Sequence, residues 1–205
     1  MKPLFRLSLL VFVTLYAALG CAPSTSEEPA AQSSNASTAA MPAPIPKKEV
    51  TVRVLDFEAI RMLIESQRGK IVVVDYWSTS CPPCLKEFPG LVDLDRQYAD
   101  QGVVCISVSL DFIGGKNQTA AGSIPRVQAV LEKFGATFDN VLAGDDTDTM
   151  LEKLKLGAPP AVYVYAQDGS LAKRFDNAGA TSEEESFTYT DVENLVVELL
   201  AANHQ

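Results

Sequence analysis

The sequence predicts an α/β domain in which a mixed β-sheet carries helices on both faces. Two short continuous apolar runs, "KIVVVDYW" (70–77) and "GVVCISVSL" (102–110), have the composition of strands buried on both sides. Segments with helical periodicity separate them from each other and from later strands, and this alternation is the mark of parallel strands joined through helices. Near the end, "AVYVYA" and "SLAKRF" flank Asp168-Gly169, a tight-hairpin signal that adds antiparallel strands to the sheet.

Taken in order, "VTVRVL" from Val50 alternates and is β-branched, so it reads as a strand. Asp56 is placed to cap the next helix, whose Phe57, Ile60 and Ile64 share one face, and Gly69 closes the unit. The strand at 70–77 follows. A helix is expected from the cysteines at 81 and 84 to about Tyr98, then the strand at 102–110. Ser123 is the expected cap of a helix reaching Phe134 and stopping at Gly135. Residues 140–143 form a short extended piece. Asp146 or Thr147 caps a helix containing Met150, Leu151 and Leu154 that ends at Gly157. After the hairpin, Thr190 and Glu193 have the spacing of a capping box, and Val192, Leu195, Val196, Leu199 and Leu200 form one apolar stripe.

The chain has 205 residues, of which 47% are apolar and 21% charged, enough for one packed domain with residues to spare. The spare residues lie at the start. Lys2 and Arg6 precede an apolar run from Leu7 to Leu19, shorter than the ~20 residues that span a bilayer and typical of an export signal. Ala18-Leu19-Gly20-Cys21 resembles the lipobox of bacterial lipoproteins. That resemblance implies a lipoprotein signal peptide at 1–20 and a lipid on Cys21. An ordinary cleaved signal and an uncleaved anchor are the competing readings. Residues 21–48, rich in Ala, Ser, Thr and Pro, cannot bury enough surface to order themselves and read as a flexible linker. The domain proper is then 49–205. With 26 acidic against 17 basic residues and no basic patch, nucleic acid is not an expected partner.

The chemistry centres on Cys81-Pro82-Pro83-Cys84. A structural zinc site wants four ligands; Cys81 and Cys84 supply two, and the single histidine, His204, is near the end of the chain, so no metal is expected. A purely structural disulfide across so small a loop would add little stability. A reversible dithiol fits better. At the start of a helix, unpaired N–H groups favour a thiolate at Cys81, and Cys84 lies one turn on, placed to resolve a mixed disulfide. Pro82 and Pro83 suit a first helical turn and remove two donors that could face the Cys81 sulfur, so its thiolate is only modestly stabilised. That points to a reducing rather than strongly oxidising pair, with the dithiol itself as the only redox group and no separate cofactor. Cys105, within a strand, reads as core. Lys86 and Glu87 read as a solvated face, with tuning of the thiols by Glu87 as the rival reading.

"VVVDYWSTSCPPC" resembles the active-site strand and turn of the thioredoxin superfamily, and the likeness covers most of residues 50–202. It implies a thioredoxin-like three-layer α/β/α fold with a mixed four- to five-stranded sheet. Pro89 matches the proline inside the family's active-site helix. Ala158-Pro159 matches its cis-proline loop, which faces the thiols and holds the substrate chain. Trp77 matches the aromatic beside the dithiol, and Ser80 replaces a second Trp. The resemblance makes Trp77, Pro82, Pro83, Ala158 and Pro159 the substrate-contacting residues and Asp75 the group that takes a proton from Cys84. An Asp in a Val-rich strand must in any case be paired, solvated or protonated, and burial should raise its pKa.

With the export signal, the whole resembles the membrane-tethered TlpA/ResA-like thiol–disulfide oxidoreductases, and Asp111 with the long 111–123 connection fits the same branch. This implies an extracytoplasmic, lipid-anchored monomer that reduces protein disulfides, as in cytochrome c maturation, and is recharged by a membrane thiol reductant. A thiol peroxidase, a disulfide-forming oxidase and a redox-idle binding module of the same fold remain open alternatives.

Overall fold

A computed structural model describes residues 48–202. The signal and lipobox with Cys21, all but the last residue of the linker, and His204 fall outside the described residues.

The elements, in chain order, are β1 (Val52–Leu55), α1 (Phe57–Glu65), β2 (Ile71–Trp77), α2 (Pro82–Tyr98), β3 (Val103–Ser109), α3 (Ile124–Phe134), β4 (Asp139–Ala143), α4 (Thr147–Leu154), β5 (Ala161–Tyr165), β6 (Leu171–Asp176) and α5 (Tyr189–Ala202). The sheet runs β1-β4-β3-β2-β5-β6, six strands rather than the expected four to five. The difference lies at the edges: β1 pairs with β4 in parallel, so two short strands that could have stayed irregular satisfy each other's backbone groups. β4, β3 and β2 continue in parallel, while β5 and β6 are antiparallel.

Alternation along the central strands sorts the core into two layers. Val73 and Trp77 of β2 face α2, α3 and α5 through Phe88, Leu91, Val127, Leu131, Val192 and Val196. Val72, Val74 and Tyr76 face α1 and α4 through Ile60, Met150 and Leu154. Every residue of β2 is buried, which explains its unbroken apolar run and leaves Asp75 as the one charged group within it.

Capping chemistry sets most boundaries as expected. Asp56 Oδ1 accepts from Ala59 N at 2.8 Å, and Asp146 Oδ1 accepts from Thr149 N at 3.1 Å. Three ends differ. Ser123 does not cap α3: its hydroxyl donates to the carbonyl of Asp111 at 3.0 Å, and a 3₁₀ turn at Ala120–Ser123 leads into the helix. α4 ends at Lys155, in the left-handed region, two residues before Gly157. α5 starts at Tyr189, two residues earlier than the Thr190/Glu193 spacing suggests: Asp191 Oδ2 accepts from both the N–H and the hydroxyl of Thr188, while Glu193 accepts from the Tyr98 hydroxyl. The hairpin turns at Asp168-Gly169 as expected, with Gly169 at φ +83° supplying the left-handed residue.

Candidate active site

β2 lies between β3 and β5, and its C-terminal end delivers the chain to a short turn, Ser78–Ser80, and then to Cys81. Outside the carboxyl ends of parallel strands is where open α/β sheets place their chemistry. Cys81 has extended backbone angles and is the N-cap of α2; Pro82 and Pro83 fill the first helical positions, where no N–H partner is needed. Cys81 and Cys84 are joined as a disulfide with Cα atoms 5.2 Å apart. They differ in access: Cys81 is half-buried, whereas Cys84 is 2% exposed. Two of the three donors of the first turn are removed by the prolines, and the third remains, Cys84 N–H pointing to Cys81 Sγ at 3.2 Å.

Cys81 opens on a cleft of about 770 Å³ lined by Pro82, Pro83, Ile113, Arg126, Ala158 and Pro159 among others. The carbonyl oxygen of Pro159 is 3.7 Å from Cys81 Sγ, so the loop before β5 does face the dithiol. The cis peptide, however, is Pro159-Pro160, not Ala158-Pro159. Both are X-Pro bonds and both are open to the cis form on covalent grounds; the cis residue is the buried Pro160 that leads into β5, and Pro159 is the residue before it. Trp77 also lies elsewhere than the resemblance implies. It is fully buried, its ring 4.8 Å from that of Phe88, so it backs the dithiol from inside and does not line the cleft.

The turn before Cys81 is held by Asp111, which follows β3 and is 5% exposed. One carboxylate oxygen accepts from Thr79 N at 2.9 Å and Ser109 Oγ at 2.6 Å; the other accepts from the hydroxyls of Ser78 and Thr79 and from Arg126 Nη2 at 3.2 Å. A buried carboxylate with this many donors is compensated. The likeness to the tethered branch marks Asp111 without giving it this role, and the hydroxyl-rich Ser-Thr-Ser calls for an acceptor without saying which.

Asp75 sits on the same face of β2 as Val73 and Trp77, the face that packs against α2 and its Cys84. It is 4% exposed. Burial pushes its pKa up to about 7; the hydroxyl of Tyr189, donating to Oδ2 at 2.6 Å, pulls the other way, and the charge of Glu87 adds to the rise. Glu87 is not on a solvated face: it is half-buried and its Oε2 accepts from Tyr189 N at 3.1 Å. Neither Tyr189 nor this link is visible as a motif. Cys105 is a buried free thiol whose pKa burial raises strongly, as core packing requires. Among the described residues no three His, Cys, Asp or Glu side chains converge as a metal site, and no helix is long and apolar enough to cross a membrane.

Residues 43–174 match the AhpC/TSA family. Thiol-disulfide oxidoreductase ResA of Geobacillus thermodenitrificans is 29% identical over 118 residues, 58% of this chain and 61% of the relative. Its namesake in Bacillus thuringiensis is 33% identical over 121 residues, 59% of this chain and 63% of the relative. The chain thus matches about six-tenths of the length of these curated relatives. Among solved structures, one described as a thiol:disulfide interchange protein DsbE from Chlorobium tepidum superposes with a TM-score of 0.50 at 18% identity, over 67% of this chain and 84% of that one, a likeness of fold. The fold is thioredoxin-like, and the chain belongs to the AhpC/TSA family.

Proposed function

We propose that this protein is a thiol–disulfide oxidoreductase that works mainly as a reductase of protein disulfides. The observation that carries the reading is the asymmetry of the pair: Cys81 at a helix N-terminus on an open cleft, Cys84 buried one turn behind it. In the reduced protein, the Cys81 thiolate attacks a substrate disulfide and releases one substrate thiol. Cys84 then gives up its proton, with Asp75 as the acceptor, and attacks Cys81 Sγ. The second substrate sulfur leaves, and the Cys81–Cys84 bond seen here is the product. Two electrons pass from dithiol to substrate, and a thiol reductant must return them.

Pro82, Pro83, Ala158 and Pro159 border the cleft and are the substrate-contacting set, with Pro159 O 3.7 Å from the reacting sulfur. ResA relatives carry the name of this activity, which supports the assignment. Lipid attachment at Cys21, an extracytoplasmic site, recharging by a membrane thiol reductant, a monomeric state and a place in cytochrome c maturation complete the proposal. They rest on the resemblance of residues 1–21 to a lipoprotein signal and of the domain to the tethered branch of the superfamily.

A thiol peroxidase needs several donors around its reactive sulfur; among the described residues the one backbone N–H that reaches Cys81 Sγ is that of Cys84. The test is a trap. With Cys84→Ala, attack proceeds and resolution stops, so substrate proteins should accumulate as mixed disulfides on Cys81 and be released by reductant. If the trapped variant collects no protein by disulfide, and the parent consumes peroxide instead, the reductase reading fails.

A further inference from the structure

Asp75 is bonded on one side only. Oδ2 accepts the Tyr189 hydroxyl at 2.6 Å, while Oδ1 is buried and has no hydrogen-bond partner among the described residues. A carboxylate buried for structure alone is expected to have both oxygens satisfied, as Asp111 does in the same domain. The one-sided arrangement is itself closely built. Tyr189 is the first residue of α5, and its N–H is held by Glu87 of α2 at 3.1 Å. Its side chain crosses α2 at Gly90, where a Cβ would lie 2.3 Å from Tyr189 Cβ, so only glycine admits this approach. The ring is buried and its hydroxyl reaches β2. Glu87 and Gly90 belong to the helix that carries the dithiol, so the position of the Tyr189 hydroxyl is fixed relative to Cys84 as well as to Asp75.

We propose that Tyr189 is a positioning residue of the dithiol reaction: its hydroxyl occupies Oδ2 of Asp75 and directs the proton released by Cys84 to Oδ1. This rests on the role given to Asp75 above. In the resolving step the Cys84 S–H bond breaks and its proton passes to Oδ1 through water. The Cys84 sulfur forms its bond to Cys81 Sγ as the Cys81–substrate S–S bond breaks, and the electron pair of that bond leaves with the substrate thiolate. The negative charge thereby removed from Oδ2 weakens the Tyr189 bond, and it strengthens again when Asp75 loses the proton to solvent.

Of the titratable groups on this face, Glu87 from α2 carries a charge that disfavours ionisation of Asp75, Cys105 from β3 feels the charges of Asp75 and of Asp95 from α2, and Tyr98 of α2 donates to Glu193 of α5. Cys105 stays neutral because burial raises its pKa. Tyr189 stays a donor because burial and the neighbouring carboxylate push its own pKa well above 10.0. A hydrogen bond to a charged carboxylate favours the ionised form, so removing it makes Asp75 accept a proton at higher pH.

The experiment uses the reduced protein and 5,5′-dithiobis(2-nitrobenzoate), at equimolar amounts. One coloured thiolate is released when Cys81 attacks, and a second when Cys84 resolves the mixed disulfide, so the two steps are read separately. Tyr189→Phe keeps the ring and the backbone contact. It should move the pH midpoint of the second release up by about one unit, about tenfold slower resolution below the midpoint, and leave the first release unchanged. Gly90→Ala, which pushes the same side chain away from β2, should move it in the same direction. In the oxidised protein, the protonated-carboxyl infrared band assigned to Asp75 by its loss in Asp75→Asn should titrate higher in Tyr189→Phe.

A second release whose midpoint is unmoved in Tyr189→Phe, while Asp75→Asn removes its pH dependence, refutes the role of Tyr189 and keeps that of Asp75. A second release that keeps its pH dependence in Asp75→Asn refutes both.

Discussion

Replacing Asp75 with Asn should favour the folded protein increasingly as pH rises, relative to the parent. The carboxyl is raised from 3.8 to about 7 by burial, with Glu87 adding to the rise and the Tyr189 bond opposing it. Below pH 3.8 both folded and unfolded states hold the proton, and the group contributes no pH-dependent term. Between the two values the unfolded chain sheds a proton that the folded protein retains, so stability falls as pH rises and levels off above about 7. Linkage puts the loss at about 2 kcal/mol at pH 5 and about 4 kcal/mol at pH 8.5. Asn has the same shape and keeps an acceptor for the Tyr189 hydroxyl, but places an amide donor at the unpartnered oxygen, which costs about 1–3 kcal/mol at every pH. The discriminating quantity is therefore the change with pH, about 2 kcal/mol between pH 5 and pH 8.5. Guanidinium unfolding of the oxidised protein, followed by the fluorescence of Trp77, the single tryptophan, measures it. If variant and parent differ by the same free energy at both pH values, Asp75 is not held protonated by burial and the reasoning about it is wrong.

Asp111→Ala leaves the donors of Thr79 and Ser109 without an acceptor and should cost about 3–5 kcal/mol in the same unfolding assay. Asp111→Asn, which keeps the shape, should cost less and speed alkylation of reduced Cys81 as the turn loosens. A neutral Asp111→Ala would show that the turn is held by something else. Gly90→Ala should destabilise by about 1–3 kcal/mol, because the clash with Tyr189 outweighs the ~1 kcal/mol that alanine gains in a helix; a more stable variant would mean that Tyr189 moves freely.

Features written in neighbouring residues were legible before the structure. The unbroken apolar run of β2, the Asp56 and Asp146 caps, the Asp168-Gly169 turn and the placement of Cys81 at a helix start all depend on contacts within a few positions. What escaped depends on contacts across the fold. Tyr189 reaches Asp75 over 114 positions, and Asp111 reaches Thr79 over 32. The sixth strand exists because β1 finds β4, far along the chain. Glu87 reads as surface on its own helix and is drawn inward by the N-terminus of α5. Two adjacent X-Pro bonds are covalently equivalent, so the choice of Pro159-Pro160 for the cis peptide lies in the packing of the loop. The resemblance puts Trp77 in the right neighbourhood but on the wrong face, because the end of a strand does not declare whether its last side chain points to solvent or to Phe88.

The most direct measurement is the redox equilibrium of the purified protein with a dithiol–disulfide couple, read by Trp77 fluorescence. A reversible reducing pair at Cys81 and Cys84 gives one two-electron transition, abolished by Cys81→Ser, at a potential well below the about −120 mV of strongly oxidising dithiols. No transition across that range, or a midpoint near −120 mV, would contradict the assignment.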